Sequence, residues 1–388
     1  MTEIKKCNCN CSGHNAPFRA DHVGSYLRPK ELVEAREKFS QNLITREELT
    51  QVENKAIKEL IAKQKEVGLK GITDGEFRRA YWHLDFFWGL NGVEHTQAKI
   101  GYQFHDETTK PDSAGLTGKI SGENHPFINH FKFVRDEVGK DATPRQTIPA
   151  PAQFFRELIR DAENTANTFN VYPDKEELFR DIIKAYKTVI FDLYEAGCRN
   201  LQFDDCTWGA LSDDNLLGKV ANANCQSIEE VRKDLSADFI KLNNGVLEGL
   251  PEDLVVNTHV CRGNFHSSWF CQGSYDKVAD TLFAKENVNA YYLEFDTDRA
   301  GGFEPLAKVT PGKKVVLGLL TSKSATLENK EEVIARIKEA AKYVPLENLY
   351  LSTQCGFAST EEGNILTEED QWKKIKLIQE IVAEVWGE

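Results

Sequence analysis

The sequence predicts an α/β fold, a (β/α)8 barrel of the TIM type, on three observations. Eight short apolar stretches recur along the chain and alternate with helical segments. Polar or metal-ligating side chains recur at the C-terminal ends of those stretches, where folds of alternating strand and helix place their chemistry. No Gly-rich phosphate fingerprint follows the first stretch, which argues against a dinucleotide-binding sheet and leaves an open doubly wound sheet as the alternative.

The rhythm begins at Pro17. FRADHVGS (18–25) reads as a first strand, and the spacing of Leu49, Val52, Ala56, Leu60 and Ile61 marks an amphipathic helix before a second strand, KGITDGE (70–76). Between about 78 and 143 the pattern breaks: YWHLDFFWGLNGV is aromatic, and Gly, His, Thr and Pro are mixed with short β-like runs after it. An excursion of this length is usually functional, so it reads as an insertion over the open end of the barrel. TIPAP (147–151) resumes the strands. The next helix shows Ile182, Ile183, Tyr186, Val189, Ile190 and Leu193 on one face and stops at Gly197. NLQFDD (200–205), a helix near 227–248, LVVNTHVC (254–261), a helix near 274–286 and NAYYLEFD (289–296) follow. KKVVLGLLT (313–321), a helix carrying Val333, Ile334, Ile337, Ala340, Ala341 and Val344, LYLSTQC (349–355) and a last helix with Trp372, Ile375, Ile378, Ile381 and Val382 complete the set.

With 388 residues and 40% hydrophobic content the chain can bury a large core. A net charge of −13 and a pI near 5.3 argue against a nucleic-acid or anionic-membrane surface. No apolar run reaches the roughly 18 residues of a membrane span, and the N-terminus MTEIKKCNCN lacks the apolar core of a secretory signal. A cytoplasmic location is therefore expected. Nine Cys, an odd number spread thinly, read as reduced thiols free to bind metal or act as nucleophiles. Cys7, Cys9, Cys11 and His14 form a separate cluster that could clamp a soft metal, in a tail (residues 1–16) whose polarity predicts disorder.

In a barrel the strand ends converge, so their polar residues form one constellation: His22 and Ser25; Asp74 and Glu76; Asp204 and Asp205; His259 and Cys261; Glu294; Lys323; and Cys355. Taken singly, each acid reads as a helix cap or a surface ion pair, and a His-x-Cys pair as a core histidine beside a buried thiol. Together, His259, Cys261, Glu294 and Cys355 offer imidazole, two thiolates and a carboxylate, a donor set that suits Zn2+. His-x-Cys points both side chains to one face of a strand, because side chains alternate with period two.

The motifs HVGS, TDGE, QFDD, HVC, LEFD and STQCG, in this order and at these intervals, resemble the C-terminal catalytic barrel of the cobalamin-independent methionine synthase family. The resemblance covers nearly the whole chain from Pro17, as a single barrel domain over 17–388. It implies a zinc-dependent methyltransferase that methylates the thiol of homocysteine to give methionine, with the zinc on His259, Cys261, Glu294 and Cys355. It also implies that Gly24, Ser25, Glu76 and Asp204 grip the amino acid part of homocysteine. The thiol chemistry agrees: a thiol with a pKa of about 8.5 is mostly protonated at neutral pH, and a zinc ion supplies the charge that removes the proton.

The sequence also departs from that family. A second, N-terminal barrel that helps to hold polyglutamylated folate is expected to be absent. Where the family carries a His in a Y-D-I-H-S context, this chain has LLTSKS, which puts Lys323 in the place of the catalytic proton donor. A lysine can fill that role when its pKa is depressed. The methyl donor therefore stays open between methyltetrahydrofolate, a methylated corrinoid and a small sulfonium, and another thiol stays open as acceptor. A barrel with a purely structural zinc is the reading from another class. Trp82, Trp88 and Trp208 are candidates to stack on a flat donor. Small molecules rather than nucleic acid or membrane are the expected partners, and a homodimer is compatible with the sequence.

Overall fold

The computed structural model describes residues 16–388 of the chain. The tail cluster Cys7, Cys9, Cys11 and His14 lies outside the described residues.

Ten strands are present among the described residues: β1 (Gly71–Ile72), β2 (Asn91–Gln97), β3 (Asp112–Ser121), β4 (Thr143–Pro144), β5 (Gln146–Pro149), β6 (Asn200–Asp205), β7 (Val255–Val260), β8 (Ala290–Glu294), β9 (Lys314–Leu320) and β10 (Leu349–Thr353). Strands β5 to β10 form one all-parallel sheet in sequence order. Each is buried along nearly its whole length, as expected of strands covered by helices on one side and a barrel interior on the other. β4 runs parallel to β1 and leads through Arg145 into β5.

The predicted first strand, 18–25, is not a continuous strand and makes only single bridges, Ala20 to Leu351 and Ser25 to Gly75. The cause is local. Asp21 accepts hydrogen bonds from the backbone N–H groups of Phe18 (3.0 Å) and His22 (2.8 Å) with its own side chain, an Asx-type alternative to ladder pairing. Those few bonds nonetheless close the ring. Asp21 N–H donates to Leu351 O, Leu351 N–H to Arg19 O, Tyr26 N–H to Gly75 O and Thr143 N–H to Lys70 O, at 2.8–3.1 Å. The predicted second strand, 70–76, shrinks to β1, because Thr73 N–H turns to Gln64 Oε1 and the chain enters the left-handed region at Gly75 and Glu76. Inside the ring, Arg145 donates to both carboxylate oxygens of Asp21 at 2.8 Å, and Tyr292 Oη donates to the same carboxylate at 2.7 Å.

The predicted helices form at Arg46–Glu66, Lys175–Glu195, Ile228–Leu247, Lys330–Ala340 and Glu368–Trp386. Capping boxes start three of them, at Thr45/Glu48, Ser227/Glu230 and Thr367/Asp370. The segment predicted near 274–286 splits into a 3-10 turn and a helix, Ala279–Lys285. The helices that sequence periodicity missed include Lys30–Ser40, Phe127–Val138, Pro151–Leu158, Ala162–Val171 and Asp214–Asn224. In the segment 78–143, β2 and β3 form an antiparallel hairpin, and β3 packs on the helices Ala162–Val171 and Lys175–Glu195. Among the described residues, no helix is long and apolar enough to cross a membrane.

Candidate functional site

Parallel registry sets the centre. Asp204, His259 and Tyr292 are direct partners across β6, β7 and β8, so their side chains emerge on the same face at one level of the barrel. Cys261 lies one residue beyond β7 and continues the ladder through its N–H to Asp205 O. Glu294 ends β8, and Cys355 lies two residues beyond β10.

The four expected ligands converge: one donor atom from each of His259, Cys261, Glu294 and Cys355 lies within 4.8 Å of all the others, and all four residues are buried. The two sulfurs are 3.7 Å apart. Sulfurs on one tetrahedral zinc, each about 2.3 Å from it, are separated by roughly 3.8 Å. The remaining donors are oriented by the chain. His259 Nδ1 faces Tyr292 O at 3.3 Å, leaving Nε2 buried without a partner. Glu294 Oε1 accepts from Arg262 N–H at 2.7 Å, leaving Oε2 equally unpartnered. Gly263 N–H donates to Cys261 Sγ at 3.3 Å. An unpartnered buried imidazole nitrogen and carboxylate oxygen beside two thiols are costly without a cation, so the donor set fits zinc. In a site without that charge the thiols stay protonated. The neighbouring Cys206 thiol, with burial adding to it, pushes the Cys261 thiol well up, and contact with Cys261 together with burial does the same to Cys355.

Next to this cluster opens a cavity of about 940 Å³, near the top of the roughly 300–1,000 Å³ typical of small-molecule sites. His259, Cys261 and Cys355 line its floor, with Ser25, Glu76 and Asp204 beside them. Glu76 holds a left-handed backbone (φ 62°), unusual for a residue with a side chain. Its Oε1 accepts from Thr147 Oγ1 at 2.8 Å and pairs with Arg79 Nη1 at 3.1 Å, while Oε2 is buried and free. Asp204 accepts from Gln202 Nε2 at 2.9 Å. Burial and the nearby Glu76 charge raise the Asp204 carboxyl well above the ordinary carboxylate range, and burial raises Glu76 as well, against the opposing pull of Arg79. The two buried carboxyls share the cavity lining, where a cation between them would favour their ionised forms.

Ser25 Oγ accepts from Ala358 N–H at 3.3 Å, leaving its own hydrogen free to donate. Close packing enforces this turn: a Cβ on Gly356 would collide with the Ser25 hydroxyl, and one on Gly24 would come 2.8 Å from Thr147 Cγ2. Gly24 is not itself among the residues that line the cavity, although Val23 and Ser25 on either side of it are.

Lys323 follows β9 but is not among the side chains that line the cavity; its Nζ is enclosed and unpartnered among the described residues. Of the three tryptophans, Trp82 alone is on the wall. Trp88 Nε1 donates to Ser113 O at 3.1 Å, and Trp208 is fully buried edge-on to Phe239. Sequence reasoning missed Cys206, Arg79 and His83. Cys206 follows the Asp204–Asp205 pair directly and was legible as a strand-end thiol. His83 sits in the aromatic run already marked as unusual.

A parallel barrel that gathers two Cys, a His and a Glu beside a carboxylate-walled cavity defines a class: barrel enzymes with a thiolate-rich metal centre at the strand C-termini. The chain belongs to the family of the cobalamin-independent synthase catalytic domain, whose model matches residues 18–119 and 169–369, and methyl transfer is the class of activity this membership gives it. Among curated proteins it is 44% identical over 372 residues to YxjH of Bacillus subtilis, an uncharacterized protein, covering 96% of this chain and 95% of that one. It is 22% identical over 340 residues to a methionine synthase of Pyrococcus abyssi, covering 86% and 84%. A structure from Listeria monocytogenes, proposed to be a vitamin-B12 independent methionine synthase, superposes with a TM-score of 0.71 at 37% identity over 96% of this chain and 99% of that one. A B12-independent methionine synthase from a Shewanella species, solved with selenomethionine, shares the fold with a TM-score of 0.69 at 21% identity, covering 95% and 97%.

Proposed function

We propose that the protein transfers a methyl group to the thiol of homocysteine, forming methionine, at a zinc centre held by His259, Cys261, Glu294 and Cys355. The observation that carries this reading is the pairing of that cluster with a cavity whose wall bears two buried carboxylates, one with a free oxygen. Zinc bound there supplies the positive charge that keeps a thiol ionised near neutral pH.

The chain's residues orient the amino acid. Glu76 Oε2 and Asp204 take its ammonium, and the Ser25 hydroxyl donates to its carboxylate beside the close-packed turn at Gly24 and Gly356. Held at both polar ends, the substrate extends its sulfur toward Cys261 and Cys355, and the methyl group is delivered from the wide part of the cavity in line with its leaving group. The volume supports a second, larger substrate beside homocysteine. It also speaks against a structural zinc, which would be enclosed by its ligands. Methyltetrahydrofolate, a methylated corrinoid and a small sulfonium are the donors to separate, and the name of the Shewanella complex, which holds the selenium analogue of methionine, supports the product.

The test is zinc content by elemental analysis together with methionine formation from homocysteine, run side by side with 5-methyltetrahydrofolate, methylcobalamin and S-methylmethionine. A protein that carries one zinc per chain yet makes methionine from none of them refutes the reading.

A further inference from the structure

Five arginines are buried among the described residues, and four of them have an evident partner for the guanidinium. Arg79 pairs with Glu76, Arg145 with Asp21 and Arg232 with Asp214, while Arg28 donates to the carbonyls of Ala358, Glu76 and Arg79. Arg262 has none. It is 1% exposed, and its Nε, Nη1 and Nη2 are all buried without a hydrogen-bond partner among the described residues. Arg262 follows the expected ligand Cys261 directly. Its backbone N–H donates to Glu294 Oε1 at 2.7 Å, and its carbonyl accepts from the N–H groups of Phe270 and Cys271 at 2.8 and 3.0 Å. The guanidinium carbon stands 4.3 Å from the centroid of the Tyr275 ring, and Tyr275 Oη accepts from Glu294 N–H at 3.2 Å. The cation is therefore packed beside the ligand cluster, and it is not among the side chains that line the cavity.

A ring face offsets part of the cost of burying a guanidinium, but a buried charge ordinarily also has a counter-charge close by. The Cys271 thiol and the Tyr275 phenol do not supply one: such groups are uncharged for the most part at neutral pH, and burial disfavours their anions further. The ligand cluster does. Burial opposes the Arg262 charge, and Glu294 is among the groups that favour it. Two thiolates and a carboxylate around a dication leave one net negative charge, which a single guanidinium brings to zero. Without Arg262, a substrate thiolate would have to enter a buried site that is already anionic; with it, the thiolate enters a neutral one.

We propose that Arg262 is the buried counter-charge of the metal centre, a positioning residue that holds an incoming substrate sulfur in its ionised form. This inference rests on the zinc and homocysteine reading above and adds the group that balances the charge. As the substrate binds, its thiol proton leaves to solvent through the cavity, the electron pair stays on sulfur, and the guanidinium stabilises the extra negative charge without touching the substrate. A neutral thioether brings no such charge, so Arg262 discriminates between the thiol substrate and its methylated product.

The experiment compares wild type with Arg262→Lys and with two neutral replacements, Arg262→Met and Arg262→Gln, all as zinc-loaded full-length protein with zinc measured in each sample. Homocysteine and methionine are titrated by calorimetry: both bring the same ammonium and carboxylate, but only homocysteine brings a sulfur that ionises. The neutral variants should raise homocysteine Kd about tenfold or more, the scale of one unit charge acting over roughly 8 Å at an effective dielectric constant near 20. Methionine Kd and zinc content should stay within about twofold, and Arg262→Lys, which keeps the charge, should recover most of the homocysteine affinity. Homocysteine Kd unchanged in a neutral variant that folds overturns the inference and leaves the methyl-transfer reading standing. Equal rises for both ligands, loss of zinc from the variants, or failure of both neutral variants to fold overturn it too, because each reports a structural role. Wild type that binds homocysteine no more tightly than methionine fails the homocysteine reading. Cobalt-loaded protein titrated with 2-mercaptoethanol then decides this inference: a thiolate-to-cobalt absorption band equal in wild type and a neutral variant, or absent from both, overturns it.

Discussion

Replacing Glu76 by Gln tests how the amino acid is held. The substitution keeps the shape, and the Gln carbonyl can still accept from Thr147 Oγ1, which lies 2.8 Å from the present Oε1. Arg79 loses an ion partner but keeps its hydrogen bonds to the carbonyl and hydroxyl oxygens of Thr147 (2.8 and 2.9 Å), so the turn should hold. What disappears is the charge on Oε2, the buried oxygen left without a partner. A hydrogen bond to a charged group contributes about 1.5–3 kcal/mol, and each 1.4 kcal/mol is tenfold in affinity, so homocysteine Kd should rise roughly 10- to 150-fold. Asp204 limits the loss, because it stays ionisable and its carboxyl is raised less once the Glu76 charge has gone. Calorimetric titration of homocysteine into zinc-loaded protein, with zinc measured in the same sample, gives the answer. Kd within twofold of wild type at full zinc occupancy would refute the assignment of the ammonium to this wall. A pH series adds a sign check: both carboxyls are raised, so protons compete with the ammonium at a higher pH than for ordinary carboxylates, and affinity should fall as pH drops.

The other predictions concern the centre, the proton and the scaffold. Cys355→Ser or Cys261→Ser should lose stoichiometric zinc and methyl transfer while circular dichroism still shows the folded barrel; full turnover by either variant would end the metal assignment. Lys323→Met should lower kcat by about 10²-fold if the lysine delivers the proton, and an unchanged rate assigns that step to another group. Arg145→Met leaves the buried Asp21 carboxylate uncompensated and should destabilise the fold by about 3–5 kcal/mol in urea unfolding. Glu286 is fully buried with Oε2 unpartnered, and burial followed by the Asp205 charge raises its pKa to about 8. The folded state therefore keeps a proton that the unfolded chain releases near pH 4 to 5. Stability should fall as pH rises toward 8, by an amount on the order of 5 kcal/mol at most, and Glu286→Gln should flatten that slope in thermal unfolding.

The metal cluster was legible because each ligand sits at or just beyond the end of an apolar run, and a strand's period of two says which face it occupies. His259 and Cys261 fall on one face by spacing alone, and β7, β8 and β10 form where their runs of apolar residues predicted. The same local rule failed at 18–25, where Asp21 spends its carboxylate on the backbone and only single bridges are left to close the barrel. Lys323 shows the limit from another side: its place at a strand end was readable, but its ammonium is enclosed and its side chain is not among those that line the cavity.

The sequence by itself determined the alternation of strand and helix, the residues delivered to the strand C-termini, and the chemical type of the metal donors, since these follow from periodicity and from side-chain chemistry over a few neighbouring positions. Only the tertiary structure decided which of those groups share a space, how large that space is, and which polar atoms in it are left without partners. The reason is that burial and hydrogen-bond satisfaction are properties of neighbours. Those of His83 come from segments that include Tyr102 and Arg160, far apart along the chain and brought together only by the packed barrel.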